Sequence, residues 1–278
     1  MVKMPYLIAE IGINHNGDLF IVKKLIDATF ACGWDCAKFQ KRTPELCVPE
    51  DQKYIIKDTP WGRMTYIDYK KKIEFGKYEY DFIDEYCKNK PLQWSASVWD
   101  LPSLEFILHY DVPFIKIPSA KITELELIKE ACKSKKLVIL STGMSLLSEV
   151  DIAVDILKSN SKEFILMHTN SSYPSPSTEI NLNIIHTLRD RYGCSFGYSG
   201  HEFGLEPTVV ASSMGVSVIE RHITLDHDMW GTDQKASLEI NAMFMLKKRV
   251  KEAVESMGDG IKSITKSEEP IRKKLRGC

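Results

Sequence analysis

A rhythm of eight short apolar runs constrains this chain more than any other feature. They are YLIAE (6–10), CAKFQ (36–40), WSAS (94–97), FIKIP (114–118), LVILST (137–142), FILMH (164–168), SFGYS (195–199) and SVIERH (217–222). Runs this short read as strands, and their near-continuous apolar character belongs to strands buried on both faces of a parallel sheet. Longer stretches separate them, such as DLFIVKKLIDATFAC, TELELIKEACKS and SLLSEVDIAVDILKS. These place apolar residues three and four apart, the spacing of a helix with one buried face. The second of them is predicted to start at Thr123 as N-cap, with Glu126 in the capping-box position. Eight strand–helix alternations within 278 residues predict an α/β fold, a closed (β/α)8 barrel in a single domain. The open doubly wound alternative would want a GxGxxG turn after the first strand, and none is there.

Each run ends in polar or ionisable side chains. In order these are Glu10; Lys38 and Gln40; Ser97; Lys116 and Ser119; Ser141 and Thr142; His168 and Asn170; Ser199 and His201; Glu220 and His222. A parallel barrel brings all such strand ends to one mouth, where barrel enzymes carry their chemistry. Charged groups beside a core cost free energy unless they are paired or used, so eight such ends together predict an active site.

The barrel is expected to span 1–257. It carries one long insertion, 41–68, whose Pro, Trp and Tyr content predicts an ordered lid over the mouth. Trp61, Tyr66 and Tyr69 are read as lid packing, and 258–278 as a polar, basic tail. A net charge of −1 argues against nucleic acid or an anionic membrane surface as partner. No apolar run approaches the roughly 20 residues that span a bilayer, and the N-terminus shows no signal-peptide core. Seven cysteines, at 32, 36, 47, 87, 132, 194 and 278, form no CxxC pair. They read as reduced thiols, and the expected location is cytoplasmic.

Lys38 and Lys116 each follow an apolar residue at a strand end. Lysines so placed need an anion. Hydroxyls of Ser119, Ser141, Thr142 and Ser199, with the amides of STG and YSG, would complete a cage for a phosphate and a carboxylate. The alternative is that a lysine simply pairs with Glu10 or Glu220. His201 and His222 end adjacent strands and suit a divalent metal with open water positions, oriented or supplemented by Glu220 and Asp233; hydrogen-bonded structural histidines are the other reading. His15, in NHNG, is read as shaping a turn, His168 as a group that could touch the anion, and Tyr173, in SSYPSP, as a pocket wall. His109, His186 and His227 read as helix-face or loop residues.

The motifs IAEIGINHNG, AKFQ, IKIPS, ILSTGM, SYPSP, GYSGHE and IERHITL…MWGTDQKASLE occur in this order. Together they resemble the sialic acid (N-acetylneuraminate) synthase family. That resemblance implies a transferase that condenses phosphoenolpyruvate with an aldose, N-acetylmannosamine or a related sugar. The product would be a 3-deoxy-2-ulosonic acid, with release of phosphate. It implies Mn2+ as cofactor, with Mg2+ or Co2+ as alternatives, and a homo-oligomer. Carried over position by position, Lys38, Ser97, Lys116, Ser119, Ser141 and Ser199 match phosphoenolpyruvate-binding positions. His201 and His222 match metal ligands and Glu10 a catalytic glutamate. Gln40, Tyr173 and Asp233 match positions near the sugar.

Four departures bear on the acceptor. Ser97 stands where threonine is common, Lys121 where an acidic residue is common, Gly200 where aspartate often precedes the histidine, and Gln234 where histidine often follows Asp233. Lys121 is therefore an expected sugar contact of altered charge. The resemblance also implies a C-terminal antifreeze-like domain, and the expectation here is a short form without one. The expected alternatives are a non-acylated or phosphorylated aldose with a Kdn- or Kdo-like product, or a metal-dependent pyruvate aldolase. A Schiff-base aldolase using Lys116 is a further reading.

Overall fold

The computed structural model describes residues 2–161 and 163–277. Its barrel strands are β1 (Tyr6–Gly12), β2 (Cys36–Lys41), β5 (Gln93–Val98), β6 (Phe114–Ile117), β7 (Leu137–Ser141), β8 (Phe164–Thr169), β9 (Ser195–Gly200) and β10 (Val218–His222); β3 (Ile56–Thr59) and β4 (Gly62–Thr65) form a separate hairpin. The eight close in the order β1-β10-β9-β8-β7-β6-β5-β2, every pair parallel. The predicted (β/α)8 barrel is the fold.

Strand alternation sorts the side chains into two layers. Leu7, Ala9, Phe39, Ala96, Ile115, Leu140 and Ile219 face outward, into the large core between barrel and helices. Ile8, Cys36, Phe114, Ile139, Ile165, Met167 and Val218 face inward and plug the floor. Each large apolar side chain buried there contributes roughly 1.5–3 kcal/mol. Two residues further along the same strands, the inward positions become Glu10, Lys38, Lys116, Ser141, Thr169 and Glu220. Register holds them level: Glu10 lies opposite Lys38 and opposite His222. A slip of one residue would turn every one of these groups into the outer core.

Asp18 caps the helix Leu19–Ala31 through the Phe20 amide at 2.7 Å. Asp100 caps Leu101–Ile107 through the Ser103 amide at 2.8 Å, and also accepts from the Thr43 amide at 2.7 Å. Thr123 does not cap. The helix starts at Leu125 behind Glu124, without a side-chain cap, because the 3-10 turn Ser119–Lys121 displaces the helix start.

The 41–68 insertion is ordered: a turn of helix (Pro44–Cys47), a 3-10 turn (Glu50–Gln52), then the β3–β4 hairpin. Trp61 and Tyr69 meet Trp230 edge-on at 6.0 and 5.0 Å, so the lid leans on the loop after β10. Residues 258–277 are exposed throughout and include a helix, Glu268–Arg276. Six of the cysteines are free thiols; Cys278 lies outside the described residues. Among the described residues no helix is long and apolar enough to cross a membrane.

Candidate active site

The inward upper layer forms a buried alternating ring of charge. Lys38 Nζ lies 2.5 Å from Glu10 Oε2, 2.7 Å from Ser97 Oγ and 3.6 Å from Glu220 Oε2. Lys116 Nζ donates to both Glu220 oxygens at 3.0 Å. Ser199 Oγ donates to Glu220 Oε1 at 3.2 Å, and Gln40 Nε2 to Glu10 Oε1 at 3.0 Å. Two ammonium groups and two carboxylates thus share one small volume, so the lysines do pair with Glu10 and Glu220. Burial disfavours the Lys38 charge, but Glu10 and Glu220 outweigh it and hold its pKa above the usual lysine value. Burial wins at Lys116, which is lowered despite Glu220. Burial also opposes ionisation of Glu220, yet Lys116 and Lys38 bring its pKa down to about 2.

Above the ring is a cavity of about 170 Å3. Ser97, Ser119, Ser141 and Ser199 present hydroxyls to it, beside Lys38, Lys116, Glu10, Gln40, Tyr173, His201 and His222. Ser119 Oγ accepts from the Gly143 amide at 3.0 Å. A larger groove, about 810 Å3, lies beside it between Pro174 and Val210. Its ionisable lining is Glu202 and Glu206 alone, whereas the small cavity gathers two lysines, two glutamates and two histidines and is the candidate site.

His201 and His222 stand at adjacent strand ends, ring centroids 5.3 Å apart. Tyr173 stacks on His201 at 4.1 Å and meets His222 edge-on at 5.4 Å. His201 Nδ1 donates to Asn170 O at 2.6 Å, leaving a lone pair on Nε2, to which the Tyr173 hydroxyl donates at 3.0 Å. Burial, then the neighbouring His222, lowers the His201 pKa to about 3, so it is a neutral ligand-type imidazole. His222 Nδ1 is buried without a hydrogen-bond partner, 3.7 Å from Asp233 Oδ2. A neutral histidine whose second nitrogen is fixed by a backbone carbonyl is how metal-ligating histidines are usually held. The pair therefore fits a divalent cation, which would displace the Tyr173 phenol. Among the described residues no group of three or more His, Cys, Asp and Glu side chains completes the set, so water or substrate would fill the rest.

Several sequence-predicted residues lie elsewhere. Thr142 donates to Met167 O at 3.0 Å and does not line the cavity. His168 is turned to Ile180 O at 2.6 Å, away from the lysines. Lys121 sits outside the lining, 3.4 Å from Glu124. Asp233 also stands behind the lining, near His222. His15 shapes its turn, accepting from the Gly17 amide at 3.0 Å and stacking on Phe75 at 4.0 Å. His227 ties its loop to Ser237 O at 2.8 Å.

Trp99, Thr169 and Ser171 line the cavity without having been singled out in the sequence. Arg42 stands behind two of the lining residues: its guanidinium lies over Trp99 at 4.2 Å and Nη2 donates to Gln40 Oε1. The available signal was an arginine two residues past a strand-end glutamine. Behind the barrel wall, Arg221 Nη1 donates to Glu202 Oε1 at 3.1 Å and Gly204 O at 3.0 Å, and Nη2 to Glu202 O at 2.5 Å. Arg221 precedes His222 and Glu202 follows His201, so this pair ties the two histidine-bearing ends together.

The NeuB family pattern matches residues 25–262 of the chain. The chain belongs to the NeuB family. It is 34% identical over 284 residues to N,N'-diacetyllegionaminic acid synthase of Campylobacter jejuni subsp. jejuni serotype O:2, covering 99% of this chain and 85% of that protein. It is 37% identical over 244 residues to N-acetylneuraminate-9-phosphate synthase of Drosophila melanogaster, covering 86% of this chain and 65% of that one. A crystal structure of N-acetylneuraminic acid synthetase from Leptospira borgpetersenii serovar Hardjo-bovis, in complex with citrate, superposes with a TM-score of 0.87 at 31% identity, covering 99% of this chain and 93% of the other. This NeuB-family chain is thus related to synthases of sialic and sialic-acid-like acids.

Proposed function

We propose that the protein condenses phosphoenolpyruvate with an aldose, forming a 3-deoxy-2-ulosonic acid and inorganic phosphate. The observation that carries this reading is the meeting of Lys38, Lys116 and four serine hydroxyls in one cavity beside the imidazoles of His201 and His222. Names among its relatives support the product class, and differ on whether the product bears a phosphate.

Lys38 and Lys116 offset the charge of the phosphate and carboxylate, and Ser97, Ser119, Ser141 and Ser199 offer donors around them. The ring is already balanced by Glu10 and Glu220, so entry of an anion requires the lysines to share themselves between carboxylate and substrate. The methylene carbon bonds to the aldehyde carbon, and the aldehyde oxygen takes up a proton to become a hydroxyl. Glu10, held by Lys38 and Gln40, orients the water that adds to the enol carbon and accepts its proton. The carbon–oxygen bond to phosphate then breaks, leaving a ketone. A divalent cation, Mn2+ first with Mg2+ or Co2+ as alternatives, would be held by His201 and His222 and would polarise the acceptor carbonyl as a Lewis acid. Tyr173, stacked on His201, walls the acceptor side.

The test is phosphate release from phosphoenolpyruvate with Mn2+ across a panel of aldoses and aldose phosphates, alongside direct binding of phosphoenolpyruvate. Release that depends on one sugar is the expected result. No binding of phosphoenolpyruvate would overturn the assignment of Lys38 and Lys116.

A further inference from the structure

Gln40, at the end of β2, sets its side-chain amide between a carboxylate and a cation. Nε2 donates to Glu10 Oε1 at 3.0 Å, and Oε1 accepts from Arg42 Nη2. An ionised carboxylate only accepts and a guanidinium only donates. Both neighbours therefore dictate the same orientation of the amide, oxygen toward Arg42 and nitrogen toward Glu10. The backbone of Gln40 is fixed as well, since the Tyr80 hydroxyl donates to its carbonyl at 2.9 Å. Gly12, at φ +56°, lies against the Glu10–Gln40 hydrogen bond: a Cβ there would stand 3.1 Å from Gln40 Nε2 and 3.1 Å from Glu10 Oε1. The end of β1 thus leaves room for that contact and for little else.

Arg42 is 8% exposed, and Gln40 Oε1 is the one hydrogen-bond acceptor that its guanidinium meets among the described residues. Its Nε is buried without a partner, 3.9 Å from Glu74 Oε2. Glu74 holds the backbone instead: its Oε1 accepts from the Arg42 amide at 3.1 Å and from Lys41 Nζ at 2.8 Å. A guanidinium that served to neutralise Glu74 would face it with two parallel hydrogen bonds. This one gives Glu74 none and spends Nη2 on a neutral amide. Its face lies over Trp99, 4.2 Å from the ring centroid, and the Trp99 amide donates to the Lys41 carbonyl at 3.1 Å. The side chain is therefore clamped between the ends of β2 and β5, with Nη2 on Gln40.

We infer that Arg42 is a positioning residue: it locks the Gln40 amide with its nitrogen toward Glu10, and so holds the Glu10 carboxylate where it takes the proton of the attacking water. The inference rests on the role proposed above for Glu10. Arg42 itself does not line the cavity. Without it the amide is free to turn its oxygen toward the carboxylate or to leave Glu10 altogether. Either change removes a hydrogen bond to a charged acceptor and loosens Glu10 against Lys38. The cradle of Lys38, Lys116 and the serines has no contact with Arg42, so the loss falls on turnover rather than on phosphoenolpyruvate binding.

The experiment is a double-variant cycle on Arg42→Met, Gln40→Met and the two together, with Arg42→Lys as the conservative replacement and Trp99→Leu as a second background. It measures kcat for phosphate release, with Mn2+ and the aldose that the panel above identifies, and Kd for phosphoenolpyruvate. Arg42→Met is expected to lower kcat roughly tenfold to a hundredfold, the worth of one hydrogen bond to a charged group, with Kd moving less than about threefold. Arg42→Lys should recover part of kcat. Once Gln40 is Met, losing Arg42 should cost nothing further; once Trp99 is Leu, it should cost as much as in the native protein. An Arg42 that only supports the fold would weaken every background alike. Losses that multiply in the Arg42→Met/Gln40→Met pair therefore overturn the inference, as does native kcat in Arg42→Met, or a loss that vanishes without Trp99 and persists without Gln40. The melting temperatures of the same proteins need no turnover: non-additive changes for Arg42 and Gln40 uphold the lock, and additive ones refute it. Phosphate release by the native protein with an additive cycle fails this inference alone. No release with any sugar fails the condensation, and the melting cycle still decides whether Arg42 locks Gln40.

Discussion

Replacing Arg221 tests how the two histidine-bearing strand ends are held together. The Arg221 side chain has no exposed surface and Glu202 is 3% exposed. Arg221 donates to a carboxylate oxygen, to the Glu202 and Gly204 carbonyls and to Thr208 Oγ1. Arg221→Met keeps much of the volume but removes every one of these donors. Glu202 would retain donors from Thr208 at 2.5 Å and Tyr198 at 2.8 Å, so its charge would be solvated in part but no longer neutralised. Removing one partner of a buried pair costs about 3–5 kcal/mol. At about 2–4 °C per kcal/mol for a chain of this size, the melting temperature should fall by about 6–20 °C. The double variant Arg221→Met/Glu202→Gln leaves no uncompensated charge, and should lie about 1–3 kcal/mol above the sum of its single variants. Calorimetry of the three proteins measures both quantities. A single variant that melts within about 3 °C of the native protein, with strictly additive effects, would refute the account of Arg221 as the clamp between β9 and β10.

Three further outcomes are expected. His222→Ala should keep the native melting profile and lose phosphate release, and chelator treatment of the native protein should do the same until Mn2+ is returned; full release in either case removes the histidines from cation binding. His15 is buried, which lowers its pKa from 6.5 to about 3, and its Nδ1 must stay unprotonated to accept from Gly17. The unfolded chain therefore binds the extra proton, and stability falls as pH drops below 6.5, by about 1.4 kcal/mol per pH unit from this residue. His15→Gln should flatten that acid limb between pH 6 and 4, and an unchanged slope counts against it. Trp230→Ala removes the ring on which Trp61 and Tyr69 rest. Limited proteolysis should then cut faster within 53–63, and an unchanged cutting rate would show that the lid is held by other contacts.

The strand rhythm was enough to read the barrel, because alternation and strand length are local properties that a linear chain displays. The upper-layer polar residues were legible for the same reason: Glu10, Lys38, Lys116, Ser141, Ser199, Glu220 and His222 follow their strands by parity, and parity needs no knowledge of neighbours. Tertiary structure decided what each of these groups meets. Thr142 and His168 also end apolar runs, but the next step of the pleat turns Thr142 onto the Met167 carbonyl and His168 onto Ile180. Thr123 has the local signature of a cap, but the 3-10 turn before it moved the helix start. Barrel closure brings β6 and β10 within reach across the interior, so Lys116 and Glu220, 104 residues apart, share hydrogen bonds. Whether a buried lysine has a carboxylate or waits for a ligand depends on that closure, because charge compensation is set by distance in space. Lys70 shows the same point from the other side: in the sequence it is one of three consecutive lysines, and only the packing of the lid against the mouth makes it the buried one.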